Sequence, residues 1–428
     1  MDRSSITQNR ASVDRMDLKH ILIINRSFWP DIEATGQFLT ELCEHLVKKY
    51  RVTVIAGRSY YVKKDIFEPA AFYGKEKLKG VEILRARHTV FWKGSLIGRL
   101  LNWFTYGILT FFIALRTKPD VVIACTDPPF LGILALIVSR IKSVPFIYNC
   151  RDVYPDVVLE LGHLKPNLLS AFFDSLNKKA FKRASYVVCL GHSMESRLKA
   201  KGVFSERIKV ISDWTDVSVI QPVPKEENPF LESVGLKKEN FTIMYSGNLG
   251  FSHNFHSILH SLALMQERFL FHLIFIGEGV GKTKLMRDAQ RFGLKNILFL
   301  PYQTKENLRF SLSAGDLHLV PLGKGLAGAS VPSKTYGIMA AGRPYLALTD
   351  RESEPAYLAE EFGCGLWVSP DNIKAITQTI EWAFGHQDKL KEMGRVARRI
   401  AETQFDKSVV IDQWHKILDA FGDFQKNY

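Results

Sequence analysis

The stretch that decides the fold reads HILIIN at residues 20–25, TGQFLTELCEHLVKK at 35–49 and RVTVIAG at 51–57. The two outer segments are nearly continuous runs of apolar residues, mostly Val, Ile and Leu, which is typical of strands covered on both faces. The middle segment places Phe38 and Leu42 on one face of a helix. This β-α-β pattern predicts a parallel sheet with helices packed on both of its faces.

The same alternation runs along the rest of the chain and is interrupted once. Further strands are predicted at residues 81–87, 120–125, 145–150, 186–191 and 208–213. Residues 221–240 then combine three prolines with many charges, which is typical of a linker or an exposed entry into a new domain. Beyond them the strand pattern restarts at 241–247, 271–277, 296–301, 316–322, 344–349 and 365–370.

Two successive sets of βα units predict an α/β protein with two doubly wound, Rossmann-like domains that face each other across a cleft. The first domain is expected to span residues 20–220 and the second residues 221–405. Residues 1–19 are polar and are interpreted as an extension without an apolar secretory core. Residues 406–428 carry apolar side chains at helical spacing, and we expect this helix to pack back across the domain junction.

Composition excludes several classes of protein. Of the 428 residues, 46% are hydrophobic and 24% are charged, which is incompatible with a disordered or collagen-like chain. The five cysteines form no CxxC pair, so a disulfide framework or a structural zinc site is disfavoured and a reducing cytoplasm is expected. The net charge of +13 favours an anionic partner, which could be nucleic acid, an acidic membrane or a phosphorylated substrate.

One uncharged segment, residues 100–115, is rich in aromatic side chains that include Trp103 and Phe104. A membrane-spanning helix needs about 20 such residues, so a span is disfavoured. Two interpretations stay open. The segment is a buried helix, or it lies on an anionic bilayer with Trp103 and Phe104 in the interface and with Lys93 and Arg99 facing lipid phosphates.

Ligands of parallel sheets bind at the carboxyl ends of the strands, so the strand-to-helix turns are the places to search. In the first such turn, Thr35 and Gly36 open a helix whose free N–H groups favour an anion, although a plain helix start explains them equally well. Two later turns, YSGNLGFSHN at 245–254 and GEGVGK at 277–282, bring glycines to the same edge. Neither contains the P-loop pattern, so a P-loop NTPase is disfavoured.

The most specific turn is residues 323–344, GKGLAGASVPSKTYGIMAAGRP. Ser333 and Lys334 stand directly before a predicted helix, where a hydroxyl, backbone donors and one ammonium together suit a diphosphate. Tight packing of a small-sided helix on the sheet is the alternative interpretation.

Together these motifs resemble a known family. ATGQFLTEL at 34–42, RDVYPD at 151–156, YSGNLG at 245–250 and VPSKTYGIMAAGRP at 331–344 resemble the family-4 glycosyltransferases of GT-B architecture. The resemblance is greatest to the branch of N-acetylfucosaminyl and colanic-acid-type transferases, which build bacterial capsule, O-antigen and exopolysaccharide. It implies retaining transfer of a sugar from a nucleotide-diphosphate donor, with UDP favoured. It also implies a polyprenyl-diphosphate-linked acceptor and a cytoplasmic protein associated peripherally with the anionic inner membrane.

The resemblance also implies roles for individual residues. Arg151, Asp152 and Lys334 would be catalytic, and Asp156 would contact the acceptor. The residues implied to bind the donor are Thr35, Gly36, Gly247, Asn248, Glu278, Gly279, Pro301, Tyr302, Ser333, Lys334 and Glu354. No metal or other cofactor is expected, because a lysine and helix termini can offset the charge of the leaving diphosphate.

This sequence departs from the family at two positions, since the two glutamates of the last motif are replaced by Ala329 and Gly337. Two other functions are compatible with part of the pattern. A GT-B nucleotide-sugar epimerase would share the fold and release UDP without an acceptor. A basic nucleic-acid-binding protein would explain the charge, but the basic residues are spread along the chain and no helix-turn-helix, RNP or zinc motif is visible.

Overall fold

The computed structural model describes residues 18–31, 33–59, 71–91, 96–250 and 255–424. Eight strands form the first sheet: β1 (His20–Ile24), β2 (Arg51–Ala56), β3 (Tyr73–Leu78), β4 (Val81–Ala86), β5 (Val121–Ala124), β6 (Phe146–Asn149), β7 (Tyr186–Cys189) and β8 (Ile208–Val210). Their order across the sheet is β3-β4-β2-β1-β5-β6-β7-β8. All neighbours are parallel except β3 and β4, which are antiparallel.

Helices cover both faces of this sheet, as the apolar strand pattern predicts. The helices of the first domain are α1 (Ala34–Leu46), α2 (Leu96–Arg116), α3 (Leu131–Lys142), α4 (Asp156–Glu160), α5 (Leu168–Arg183) and α6 (His192–Ala200), with a 3-10 turn at Ser205–Arg207. Side chains of α2, α3, α5 and α6 share one core with the sheet, and α1 belongs to the core on the opposite face.

The second sheet is entirely parallel, with strand order β11-β10-β9-β12-β13-β14. Its strands are β9 (Phe241–Ser246), β10 (Phe271–Ile276), β11 (Ile297–Leu300), β12 (Leu317–Pro321), β13 (Tyr345–Leu348) and β14 (Gly365–Val368). Its helices are α7 (Pro229–Ser233), α8 (His256–Met265), α9 (Lys282–Arg291), α10 (Lys305–Ser313), α11 (Lys334–Ala340), α12 (Glu354–Phe362), α13 (Ile373–Gly385) and α14 (Gln387–Ile400), followed by a π turn at Ala401–Phe405.

The last helix, α15 (Lys407–Phe424), returns to the first domain. Trp414 and Leu418 are buried in the same core as α1. Two polar contacts fix the other side of the helix, because Lys49 Nζ and the Tyr50 hydroxyl each donate to the Asp419 carboxylate over 2.6 Å. The chain therefore crosses between the domains twice.

Three local features differ from the sequence predictions. Strand β3 was not predicted, because its sequence YGKEKL is polar, as is common for an edge strand. The strand predicted at 208–213 ends at Val210. Residues 221–240, predicted as a linker or an exposed entry into the second domain, contain α7. Asn228 caps this helix and Leu231 is buried in the second domain, so the segment is an entry that is built into that domain.

Helix α2 is longer than the uncharged segment that predicted it. Its inner face belongs to the core, where the buried Tyr106 hydroxyl donates to Ile55 O over 2.9 Å. By length and composition alone, residues 97–116 could also cross a bilayer, a test that core helices of soluble proteins pass as well. The outer face carries exposed apolar side chains, which are considered below.

Candidate active site

Three loops of the second domain meet at the carboxyl ends of its strands. The turn after β9 carries Gly247, the turn after β10 carries Gly277, and the loop after β12 leads to Lys334. Backbone hydrogen bonds connect the first two turns, since Gly247 N donates to Ile276 O and Leu249 N donates to Glu278 O, both over 2.9 Å. The loops that sequence analysis selected separately therefore form one surface.

Lys334 lies on this surface and is held by an aromatic residue. Its Nζ donates to the Tyr245 hydroxyl over 2.5 Å and lies 3.7 Å from the centre of the same ring. The Tyr245 hydroxyl in turn donates to Asn248 O over 2.5 Å. A Cβ built on Gly247 would lie 3.1 Å from Lys334 Nζ, so the ammonium sits directly against the glycine turn. Burial lowers the pKa of Lys334 well below the usual range of a lysine.

Glycine is required where the two turns touch. Gly277 has a φ of +140°, and a Cβ there would lie 2.0 Å from Gly247 O. Gly279 has a φ of +156°, and its Cβ would lie 2.5 Å from Leu249 O. Any larger residue would separate the turns, so these glycines maintain the backbone surface beside Lys334.

The rim of this surface is polar and open. Glu278 forms an ion pair with Lys282 at 2.6 Å, and the Tyr302 hydroxyl donates to Glu278 O over 3.3 Å. Pro301 and Tyr302 are exposed, the latter to 47%. The exposed Asn248 lies against the same rim, because a Cβ on Gly279 would lie 2.6 Å from its Oδ1. The structure thus gathers most of the residues implied to bind the donor.

Two of the implied donor residues make different contacts. Ser333 precedes α11 but makes no side-chain cap hydrogen bond. Glu354, at the start of α12, accepts a hydrogen bond from Ser193 N in the first domain over 3.3 Å. A Cβ on Gly191 would lie 2.2 Å from Glu354 Cδ, and burial raises the pKa of Glu354. Glu354 is therefore part of a contact between the two domains.

The first domain contributes a buried ion pair. Arg151 Nη2 donates to Asp213 Oδ2 over 2.8 Å, and the two side chains are 10% and 1% exposed. The guanidinium also lies 5.4 Å from the ring centre of Phe38. Thr35 lines a narrow cavity with Arg151, whereas Gly36 is buried against Ser27, whose Oγ would lie 2.7 Å from a Cβ at that glycine.

Asp152 lies where the two domains meet. Its backbone pairs with Ser330, and the next amide, Val153 N, donates to Ala329 O over 2.8 Å. Burial raises the pKa of the Asp152 carboxyl, while a hydrogen bond from Ser330 and the charge of Arg151 act in the opposite direction.

Ala329 is completely buried in a small apolar cluster between the domains, which explains why this position holds no glutamate. A carboxylate there would lose its hydration and would need a buried cationic or hydrogen-bonding partner to offset the loss. At the second replaced position, a Cβ on Gly337 would lie 3.6 Å from the Leu312 side chain, which is an ordinary contact. Burial therefore accounts for the small residue at 329, whereas the space at 337 would admit a Cβ.

Asp156 binds two cations, Arg197 of α6 and Lys201 directly after that helix, instead of standing free. Arg197 Nε donates to Asp156 Oδ2 over 2.8 Å, and Lys201 Nζ donates to Oδ1 over 2.6 Å. Arg197 Nη1 also donates to Gly325 O and Ala327 O over 3.1 and 2.9 Å. Arg197 thus fixes the loop that leads to Lys334. Neither Arg197 nor Tyr245 was predicted from the sequence, although Tyr245 stands inside the YSGNLG motif.

The residues proposed for membrane contact are described in part. Phe104 is 63% exposed, Arg99 is exposed, and Trp103 is half-buried. Lys93 and the end of the turn at 251–254 lie outside the described residues. Within the described ranges, no group of three or more His, Cys, Asp or Glu side chains is arranged to hold a metal ion.

Comparisons with known proteins agree with this architecture. Residues 34–214 match the glycosyl transferase 4-like domain, and residues 227–400 match the glycosyl transferases group 1. The chain is 26% identical over 404 residues to the putative colanic acid biosynthesis glycosyl transferase WcaI of Escherichia coli (strain K12), covering 92% of this chain and 98% of that protein.

Solved structures show the same fold. Sucrose-phosphate synthase from Thermosynechococcus elongatus has a TM-score of 0.74 at 14% identity, covering 95% of this chain and 99% of that one. Anabaena Alr3699/HepE in complex with UDP-glucose has a TM-score of 0.68 at 17% identity, covering 94% and 99%.

Proposed function

Because this chain belongs to the family-4 glycosyltransferases of GT-B architecture and acts in polysaccharide biosynthesis, we propose that it transfers a sugar from a UDP-sugar, with retention, to a polyprenyl-diphosphate-linked saccharide. The observation that carries this proposal is the position of Lys334 Nζ against the Gly247 turn. The UDP-glucose bound to the Anabaena protein supports a UDP-sugar donor, and the name of the Escherichia coli relative supports a surface polysaccharide as the product.

The leaving group determines the electrostatic requirement. As the bond from the sugar C1 to the diphosphate oxygen breaks, negative charge grows on the diphosphate and positive charge on the sugar. A preorganised ammonium directed at the developing charge stabilises the transition state more than the ground state. Lys334 supplies that ammonium, and the backbone of the Gly247 turn lies beside it.

The first domain supplies the acceptor side. The bond that forms joins C1 to the acceptor hydroxyl oxygen, and the hydroxyl proton is assigned to Asp152. A buried carboxylate with a raised pKa is a better proton acceptor than an exposed one. Arg151 is a positioning residue in this scheme, because its guanidinium is already paired with Asp213.

No metal is needed in this scheme, since Lys334 and backbone donors offset the charge of the diphosphate. We place the protein in the cytoplasm at the inner membrane, where the lipid-linked acceptor is anchored. The outer face of α2, with Phe104 and Arg99, would contact the anionic bilayer.

Nucleotide binding tests the proposal. Thermal unfolding is measured with UDP, GDP and ADP, each with EDTA, because a ligand that binds only the native state raises the melting temperature. We expect UDP to give the largest rise and EDTA to leave it unchanged. Equal rises for all three nucleotides would contradict the choice of UDP, and no rise with any of them would contradict the donor site.

A further inference from the structure

Exposed apolar side chains of the first domain are concentrated on two helices. We call the first group the α2 stripe, which consists of Ile97, Leu100, Leu101, Phe104 and Ile108. We call the second group the α5 patch, which consists of Leu168, Leu169, Phe172 and Phe173. In the α5 patch the exposed fractions are 91%, 56%, 57% and 41% in that order, far above what packing of a core helix leaves. Such concentrations on a folded protein mark an interaction surface.

Both groups lie on the same side of the domain. Helices α2 and α5 each pack against α3 and share one core on one face of the sheet. Each helix follows a parallel strand, and its N-terminal turns therefore lie at the carboxyl edge of the sheet, the edge that carries Asp152. The α5 patch occupies the first two turns of α5, and Ile97 to Phe104 occupy the first turns of α2.

A contact at Tyr154 connects α5 to the active site. Asn177 of α5 donates from Nδ2 to Tyr154 O over 3.1 Å. Tyr154 stands two residues after Asp152, so α5 packs directly against the segment that carries the acceptor side of the cleft. Helix α2 begins at the same edge of the sheet.

The start of α5 is rigidly built, although its apolar side chains are largely exposed and the rings of Phe172 and Phe173 lie edge to face with each other. Asn167 and Ser170 form a reciprocal capping box, in which Ser170 N donates to Asn167 Oδ1 and Asn167 N donates to Ser170 Oγ, both over 2.9 Å. A capping box fixes the first turn of a helix. Leu168 and Leu169 are therefore held outward by a well-formed helix.

The charge of the side chains around the α5 patch indicates an anionic partner. Helix α5 has one acidic residue, Asp174, which is already paired with Lys178 and Lys201. Its basic residues are Lys178, Lys179, Lys182 and Arg183, and the exposed Lys165 precedes the helix. Apolar side chains flanked by cations are the combination that binds an anionic lipid surface.

We propose that the α5 patch is a second membrane-contacting element, which inserts into an anionic bilayer together with the α2 stripe. Both helices would then stand on the membrane at the edge of the sheet that carries Asp152, so that a lipid-linked headgroup enters the cleft from that edge. This inference rests on the proposed function but adds a surface that the acceptor assignment alone does not require.

Vesicle sedimentation tests the α5 patch directly. Binding to vesicles of phosphatidylglycerol and phosphatidylethanolamine is compared for the wild type, for Leu168→Ser/Leu169→Ser/Phe172→Ser/Phe173→Ser and for the control Leu264→Ser/Leu270→Ser. The control leucines, on the second domain, are 55% and 60% exposed. We expect the α5 variant to lose at least about tenfold in partitioning, because apolar burial is lost, and the control to bind normally.

A probe at the patch gives an independent readout. The five native cysteines are buried, so a Leu168→Cys variant is labelled selectively with an environment-sensitive dye. A blue shift on binding vesicles supports insertion. Three results would each overturn the inference. The fourfold variant binds vesicles normally, the dye on vesicle-bound protein shows no shift, or the wild type dimerises through this patch without binding vesicles.

Failure of the inference is distinguishable from failure of the proposed function. The fourfold variant is assayed for UDP-induced thermal stabilisation and for transfer to a water-soluble acceptor analogue. We expect both to match the wild type while transfer to the lipid-linked acceptor in vesicles falls at least about tenfold, in parallel with membrane binding. An unchanged rate with the lipid-linked acceptor would overturn the role of the α5 patch and leave the donor site untouched.

Discussion

Lys334 Nζ donates to the Tyr245 hydroxyl over 2.5 Å, and this bond joins the start of α11 to the carboxyl end of β9. The contact holds Lys334 Nζ against the turn at Gly247, where the diphosphate of the donor is expected. It also explains why Lys334 Nζ can be positioned before any donor arrives. Several expected outcomes depend on it.

Removal of the Lys334 ammonium should abolish most of the activity. We expect Lys334→Ala to lower kcat by about 100-fold or more, which is the usual cost of losing one preorganised charge-stabilising donor. Lys324→Ala is the matched control, because Lys324 is exposed in the same loop. Steady-state kinetics with a fixed acceptor measures both. Equal rates for the two variants would show that Lys334 does not face the leaving group.

The Tyr245 hydroxyl should position Lys334. We expect Tyr245→Phe to weaken UDP binding by about tenfold, since a hydrogen bond to a charged donor is lost while the ring remains. Calorimetry of UDP binding measures the change. Tyr302→Phe is the control, because the Tyr302 hydroxyl reaches only the exposed rim. A larger loss in the control than in Tyr245→Phe would reverse the assignment.

UDP binding should take up a proton. Burial lowers the pKa of Lys334, so the folded protein favours the neutral amine over part of the pH range below the usual lysine pKa. A diphosphate beside Nζ favours the ammonium. UDP affinity should therefore be highest below the pKa that Lys334 has in the free protein, and it should fall as the pH rises through that pKa. Calorimetry in two buffers of different ionisation enthalpy measures the uptake. An uptake that persists in Lys334→Met would assign the proton to another group.

The same pKa has a consequence for stability. In the range between the lowered folded pKa and the unfolded pKa of Lys334, the unfolded chain binds more protons than the folded protein. The free energy of unfolding contributed by this group should therefore increase with pH across that range. Urea unfolding at several pH values, compared with Lys334→Met, measures the contribution. A pH dependence that is identical in both proteins would contradict it.

Substitution of Glu354 distinguishes a role in the contact between the domains from a role in binding the nucleotide. We expect Glu354→Ala to reduce turnover while UDP affinity changes less than about threefold, because its carboxylate accepts from Ser193 N. Glu352→Ala is the control, since Glu352 is exposed two residues earlier. A clear loss of UDP affinity in Glu354→Ala would instead support the donor-binding role that the family resemblance implies.

Arg197 should stabilise the loop before Lys334. We expect Arg197→Ala to lower the free energy of unfolding by about 1–3 kcal/mol, because two carbonyls and two carboxylates lose a charged donor. Lys199→Ala on the same helix is the control. Hydrogen exchange of residues 323–333 provides a local readout. Unchanged protection of this loop would show that Arg197 does not hold it.

The fold could be predicted from sequence because its information is local. Runs such as HILIIN and FHLIFI have the composition of doubly covered strands, and both sheets contain them. Strand β3 could not be predicted in the same way, since an edge strand needs few apolar residues. Helix α7 was hidden in a segment rich in proline and charge.

The candidate site was predictable to a lesser degree. Gly247, Gly277 and Lys334 could be selected because glycine turns and a lysine before a helix are visible in one chain segment at a time. Arg197 and Tyr245 act through partners that lie 128 and 89 residues away in the sequence. The local pattern of residues does not indicate which distant residues will come into contact. The contact between Glu354 and Ser193 depends on how the two domains meet, which no single motif specifies.

The most direct test of the donor site is an experimental structure with UDP bound. We expect a diphosphate oxygen within about 3 Å of Lys334 Nζ, the usual distance of a charge-assisted hydrogen bond, and the diphosphate beside the Gly247 turn. A UDP molecule bound in the first domain, with its diphosphate beside Thr35 and Arg151 and with Lys334 Nζ out of contact, would contradict the account.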